Sequence, residues 1–215
     1  MKRNLCFFPI LLAFILLLSL SGCWNPFKPG EDPTEPPTPP QDQLLERTTP
    51  QNVLHNLKVI YADMDNNVNS PEDGHALAEK YRELFHPDFK FFFVDGQQPP
   101  EFMDQNWWGR DGTGTVTGEV PAFDTLMTKR VLGIVNEIKL SWTPGPAETD
   151  NRTDPDGAPL HPGWMHIHVN SVLLEVPAGS TLYIVQNGQA DFYFAPDPND
   201  PAKLWTISEW WDKQP

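Results

Sequence analysis

The chain has 215 residues and carries 15 Lys plus Arg against 29 Asp plus Glu, a net charge of -14. That acid excess, without any cluster of Lys and Arg, excludes a polyphosphate partner, so no nucleic-acid binding is expected. The apolar share is 39%, Pro is abundant at 24 residues, and both cysteines, Cys6 and Cys23, precede the globular part, which leaves no disulfide framework inside it.

Lys2 and Arg3 open the chain, and Phe7 to Leu20 is almost wholly apolar. This run has the length of a signal h-region and falls short of the roughly 20 apolar residues that span a bilayer. It ends in Leu20-Ser21-Gly22-Cys23, which resembles the lipobox of bacterial lipoproteins. The resemblance implies a signal peptide over residues 1–22, thioether lipidation of Cys23 and acylation of the new amino group. The thiol is the nucleophile that takes the diacylglyceryl group, and small residues suit a narrow peptidase site. An ordinary cleaved signal or an uncleaved anchor is the alternative reading. Cleavage removes Lys2 and Arg3 and takes the net charge from -14 to -16. Several acyl chains anchor a protein firmly, at about 0.8 kcal/mol per buried methylene. The expected address is the cell envelope, held to the membrane by lipid. Trp24, not Asp, follows the lipidated residue, which favours the outer membrane in a Gram-negative host.

Asn25 to Pro50 holds Pro26, Pro29, Pro33, Pro36, Pro37, Pro39, Pro40 and Pro50 among acidic and small polar residues. Proline removes backbone donors and favours extended polyproline conformations, so residues 23–47 read as a semi-rigid tether. A peptide motif for a Pro-binding module is the sharper alternative. Leu44 and Leu45 are placed to begin packing on the domain that follows.

Residues 48–215 form one domain-sized unit without internal repeats. Thr49-Pro50 starts a helix, as an N-cap followed by Pro at the first helical position. Val53, Leu57, Ile60, Tyr61 and Met64 give its apolar spacing, and Asp65-Asn66-Asn67 ends it. Ser70-Pro71-Glu72-Asp73 starts a second helix whose acidic first turn suits the helix dipole. Leu77, Tyr81, Leu84 and Phe85 mark its buried side, and Pro87 stops it. The period then changes to two at Phe89, Phe91 and Phe93, and Asp95-Gly96 turns the chain. A third helix is predicted over 122–130. Four longer strands follow at 134–142, 164–176, 181–194 and 204–212. The acidic, Pro- and Gly-rich insertion from Pro144 to Pro162 reads as a surface loop.

Helices first and strands afterwards make an α+β pattern, with a strongly twisted antiparallel sheet around the helices. Here the sequence resembles the NTF2-like (SnoaL-like) superfamily of cone-shaped domains. The carriers are Thr49-Pro50-Gln51-Asn52-Val53-Leu54, Leu84-Phe85-His86-Pro87-Asp88-Phe89, Trp108-Gly109-Arg110 and Trp205-Thr206-Ile207-Ser208-Glu209-Trp210-Trp211-Asp212. The resemblance implies three helices, a curved sheet of six strands or fewer, and a cavity at the mouth of the cone. It also implies, in the ketosteroid isomerase branch, a Tyr on the first helix, a carboxylate base on the strand after the second, and a second acid on a later strand. Tyr61 matches the first role. Phe93 stands where the base would be, with Asp95 two residues on. The later acid aligns near Ala190, whose neighbour Asp191 faces the opposite way if the strand alternates.

A cone pocket is expected to be apolar with a few polar groups, which makes Tyr61, Phe93, Trp108, Trp142, His166 and His168 the candidate ligand-binding residues. His166 and His168 share a strand face, and with His161 nearby imidazoles could hold a transition metal. No carboxylate or Cys stands at a diagnostic spacing, so no metal, cofactor or catalytic set is assigned. Tryptophans could stack on sugars, although aromatics more often fill cores. Asp154-Pro155-Asp156-Gly157 lacks the spaced ligands of a Ca²⁺ loop. The leading expectation is a lipid-anchored domain that binds a small apolar or glycan ligand, or an envelope partner, without catalysis. The alternative is a cone-pocket enzyme with isomerase- or dehydratase-like acid/base chemistry using Tyr61 and a pocket His. A homodimer through the sheet face is the third expectation.

Overall fold

Each of the first two helices begins where side chain and proline agree. Helix α1, Pro50–Asn67, is capped by Thr49, whose hydroxyl accepts from the Asn52 N–H at 3.2 Å. Helix α2, Pro71–Arg82, is capped in the same way by Ser70, which accepts from the Asp73 N–H at 3.2 Å. Glu72 and Asp73 occupy its first turn, and Lys80 and Arg82 its last, the charge order that the helix dipole favours. Helix α3, Glu119–Val131, follows Gly118 and has no side-chain cap. It begins three residues before the predicted start, and Glu119 is the residue this adds at its head. The computed structural model describes residues 43–94, 107–112, 118–135, 138–178 and 181–213, with side chains undescribed at 63–67 and 176–187. The signal segment, Cys23, the tether prolines up to Pro40 and the Asp95-Gly96 turn lie outside the described residues.

The described residues all belong to one compact unit, Pro40–Pro215. Its strands are β1 Phe85–Phe92, β2 Trp107–Gly109, β3 Lys139–Pro144, β4 Glu148–Thr149, β5 Met165–Ala178, β6 Thr181–Pro196 and β7 Trp205–Lys213. They form one seven-stranded curved sheet in the order β2-β1-β7-β6-β5-β3, with β4 beside β5. The sheet is mixed: β1 runs parallel to β7, and every other pairing is antiparallel. The sequence predicts a curved antiparallel sheet of six strands or fewer; the curved sheet and its antiparallel pairings are present, with a parallel β1–β7 pair and a seventh strand added. The difference arises because β1 comes straight after α2 and pairs with the last strand, a connection that no local pattern reveals. The Pro144 to Pro162 insertion also contributes a strand, since Glu148 and Thr149 pair with His166 and Met165. Asp150 is 5% exposed in this expected surface loop.

The core lies between the helices and the inner sheet face. Leu54, Leu57 and Ile60 of α1, Leu77 and Tyr81 of α2, and Val120, Phe123 and Met127 of α3 meet Ile167, Val169, Phe192, Phe194 and Ile207 of the sheet. Each such side chain contributes about 1.5–3 kcal/mol when fully buried. The end of the tether is tied down as well. Leu44 packs against the core. The buried Asn56 amide accepts from Leu45 N–H and donates to Leu45 C=O, both at 2.7 Å. Arg47 pairs with Asp197 at 2.8 Å. No helix among the described residues is long and apolar enough to cross a membrane.

Candidate functional site

The head of α3 is set by a close backbone crossing. A Cβ on Gly118 would lie 2.1 Å from Gly112 N and 2.6 Å from Asp111 C. Without that atom the segment can approach Arg110, and Val120 N–H donates to its carbonyl at 2.9 Å. Glu119 is carried into the interior, where it is 7% exposed.

Two tyrosines lead to this carboxyl. Tyr81, fully buried on α2, donates its hydroxyl hydrogen to Glu119 Oε1 at 2.5 Å. The Tyr61 hydroxyl, from α1, lies 3.3 Å from that of Tyr81. Phe123 holds both rings, stacked on Tyr81 at 3.9 Å and edge-on to Tyr61 at 5.5 Å. Tyr61 itself is half-buried. Burial pushes both phenols up, and the charge of Glu119 adds to this. Glu119 is pushed up to about 7, first by burial. The hydrogen bonds of Tyr81 and the Trp108 indole oppose that shift, and the charge of Asp212 adds to it.

Asp212 is the second inner carboxyl. It lies opposite Ala190 in the β6–β7 register. Burial pushes it up to about 6, against one hydrogen bond from the Trp210 indole at 3.0 Å. Its partner Trp210 belongs to a cluster of aromatic rings. Phe91 meets Phe93 at 5.1 Å, Trp108 at 5.5 Å and Trp210 at 5.3 Å. Trp210 meets Phe192 at 4.7 Å, and Trp142 meets Phe192 at 5.9 Å. Phe91, Phe93, Trp108, Trp142 and Trp210 are each half-buried.

The outer sheet face has a different chemistry. Asp191 Oδ1 bonds His166 Nε2 at 3.0 Å and His168 Nδ1 at 2.8 Å, and Oδ2 pairs with Lys213 at 3.1 Å. Burial works to raise the Asp191 carboxyl, but these three donors more than offset it and hold the group well below the usual carboxylate range. Arg152, from the inserted loop, lies over the Tyr193 ring at 3.5 Å and bonds Asp150 at 2.8 Å and Glu209 at 2.6 Å. His161 stacks on Trp164 and lies 3.7 Å from Glu209.

On the helix side of the sheet Phe93 packs on Trp108, Trp142 on Phe192, and Tyr61 on Phe123 and Tyr81, while His166 and His168 lie on the other side. Cross-strand pairing explains the split. His166 and His168 alternate with Ile167, which is fully buried opposite Phe192. Tyr61 packs on the core, and the histidines lie on the sheet face turned away from it. Cys23 lies outside the described residues. Sequence reading missed Glu119, Tyr81 as a polar group, and Asp212. The signals were an acid directly after Gly118, and an acid two residues after Trp210 on one strand face. Among the described residues no group of three or more His, Cys, Asp or Glu side chains forms a metal site. A groove of about 220 Å³ lies elsewhere, between the tether end and the helices, lined by residues including Leu44, Ile60, Lys80, Leu84 and Leu204.

Neither a family model nor a curated protein matches the chain. Solved structures do. A proposed aromatic ring hydroxylase from Novosphingobium aromaticivorans is 9% identical over 78% of this chain and 93% of its own, with a TM-score of 0.40. An NTF2-like protein of unknown function from Pseudomonas putida is 9% identical over 77% and 83%, with a TM-score of 0.38. A domain with a cystatin-like fold from Nostoc punctiforme is 8% identical over 78% and 80%, also at 0.38. No residue role is carried over from any of them. The architecture itself, three helices against the inner face of a curved seven-stranded sheet, is α+β.

Proposed function

We propose that the chain is a lipid-anchored domain of the cell envelope that holds a small, largely apolar ligand with one polar end against its inner sheet face. The observation that supports this reading is the half-buried aromatic cluster of Phe91, Phe93, Trp108 and Trp210, with Trp142 against Phe192, on the sheet face whose core also receives Tyr61. Aromatic rings supply large apolar area, and a few polar groups orient the bound molecule. The anchor rests on Leu20-Ser21-Gly22-Cys23 and the proline spacer behind it. The test uses the full chain in detergent. Acetonaphthone should quench tryptophan fluorescence saturably, and Trp210→Ala should weaken it at least five-fold. In cells, a clickable palmitate should label the wild type and not Cys23→Ser. Non-saturable quenching would sink the ligand reading, and equal labelling of both chains would sink the anchor.

A second reading is acid/base catalysis in the same place. It is favoured by one specific feature, two inner carboxyls raised to about 7 and about 6, in the range where a group both takes and gives protons near neutral pH. In that reading Glu119 and Asp212 take the roles first sought in His166 and His168.

A further inference from the structure

The hydrogen-bond chain from Tyr61 to Glu119 has a direction. An ionised carboxylate only accepts, and a phenol has one hydrogen to give. Tyr81 spends that hydrogen on Glu119 Oε1 at 2.5 Å. Its oxygen is then the acceptor for Tyr61, 3.3 Å away. The Tyr61 hydrogen therefore points inward, and toward a ligand Tyr61 offers only lone pairs. A proton on Glu119 reverses the order. A protonated carboxyl becomes a donor, and the Tyr81 hydroxyl oxygen, 2.5 Å from Oε1, is an acceptor for it. The acidic proton goes to the oxygen at Tyr81. Tyr81 then turns its hydrogen to Tyr61, and the Tyr61 hydrogen is released outward.

We propose that Glu119 sets the hydrogen-bond polarity of Tyr61, so that the site takes a ligand hydroxyl or amine while this carboxyl is ionised and a ligand carbonyl or carboxylate once it is protonated. The proposal rests on the ligand-site reading above. Glu119 is a positioning residue here, since it acts through Tyr81 and Tyr61. The groups that face it are Tyr81 from α2, the Trp108 indole from β2 and Asp212 from β7, with Tyr61 of α1 beyond Tyr81. None of these described groups is a cation. Burial and the Asp212 charge bring it to about 7, where both states are populated near neutral pH. The two phenols, raised by burial, stay neutral throughout and can carry the reversal.

The experiment uses the full chain in detergent with fluorotyrosine at position 61 and two matched probes, naphthol as donor and acetonaphthone as acceptor. As the pH falls from about 8.5 to about 5.5, the fluorine resonance should move in one step centred near 7. Acetonaphthone affinity should rise, and naphthol affinity fall, at least three-fold each. Tyr81→Phe should abolish both the step and the opposed trends while Glu119 still titrates, followed by its carboxyl infrared band. Glu119→Gln should abolish the step outright. A flat fluorine signal with both probes bound, or a step that survives in Glu119→Gln, overturns the proposal and leaves the ligand site standing. Failure of both probes to bind overturns the ligand site and the proposal with it.

Discussion

Asp191 and Asp212 lie on adjacent strands of one sheet, one residue out of register, and their carboxyls are driven in opposite directions. Asp191 faces outward and is held low by His166, His168 and Lys213. Asp212 faces inward, has one indole donor, and is pushed up to about 6 by burial. Both groups are partly removed from water. The difference is the partners, since desolvation raises a carboxyl unless hydrogen bonds to its charged form outweigh it. The sheet thus separates two chemistries by the thickness of one backbone: a fixed polar network outside, and groups of adjustable protonation among aromatics inside.

The contrast should first appear in stability. Phe192, fully buried on the inner face, should cost about 3–5 kcal/mol when changed to Ala, through lost transfer energy and a residual cavity. Tyr193→Ala on the outer face should cost less than half of that, as measured by urea unfolding. Equal losses would mean that both faces are core.

The next largest effect is on pH dependence. Glu119 has a raised folded pKa, so the folded chain binds more protons than the unfolded one between its ordinary 4.5 and about 7. Its contribution is present below 4.5 and is lost as pH rises through about 7, a change of about 3 kcal/mol at most. Asp212 adds a loss of the same sign between 3.8 and about 6. Asp191 has the opposite sign: its contribution is present above 3.8 and is lost as the pH falls toward its lowered value. Urea titrations at several pH values should therefore give stability that declines from about pH 5 to pH 7.5. Glu119→Gln should flatten most of that slope, and an unchanged slope would remove Glu119 from the inner pair.

The smallest effect separates two arginines. Arg152→Ala strips the buried Asp150 and the half-buried Glu209 of their shared cation and uncovers Tyr193, and it should cost about 2–3 kcal/mol. Arg82 pairs with Glu79 and Asp111 in the open, and Arg82→Ala should cost under about 1 kcal/mol. Thermal unfolding of the two variants side by side distinguishes a structural network from surface ion pairs.

Much of this architecture was legible locally. Thr49-Pro50 and Ser70-Pro71 mark helix starts because capping and the fixed proline torsion act within four residues. The alternation in 181–194 put Asp191 on the face opposite Ala190, Phe192 and Phe194, where the sheet has it. Tyr61 was legible as a polar residue on an apolar helix face. Glu119 was not, because what buries it is the crossing of Gly118 over Gly112, a contact between two segments of backbone. His166 and His168 looked like pocket residues because i, i+2 spacing says that two side chains share a face and never which face.

The sequence by itself determined the acid excess, the lipobox-like start and proline spacer, the helix caps and the strand periods, since each depends on composition or on neighbours in the chain. Only the tertiary structure decided that β1 joins β7 in parallel, that the histidines lie outside, and that two carboxyls lie buried among aromatics. Those outcomes depend on which strands meet and which side of the sheet the helices cover, and both are set by contacts between residues far apart in sequence.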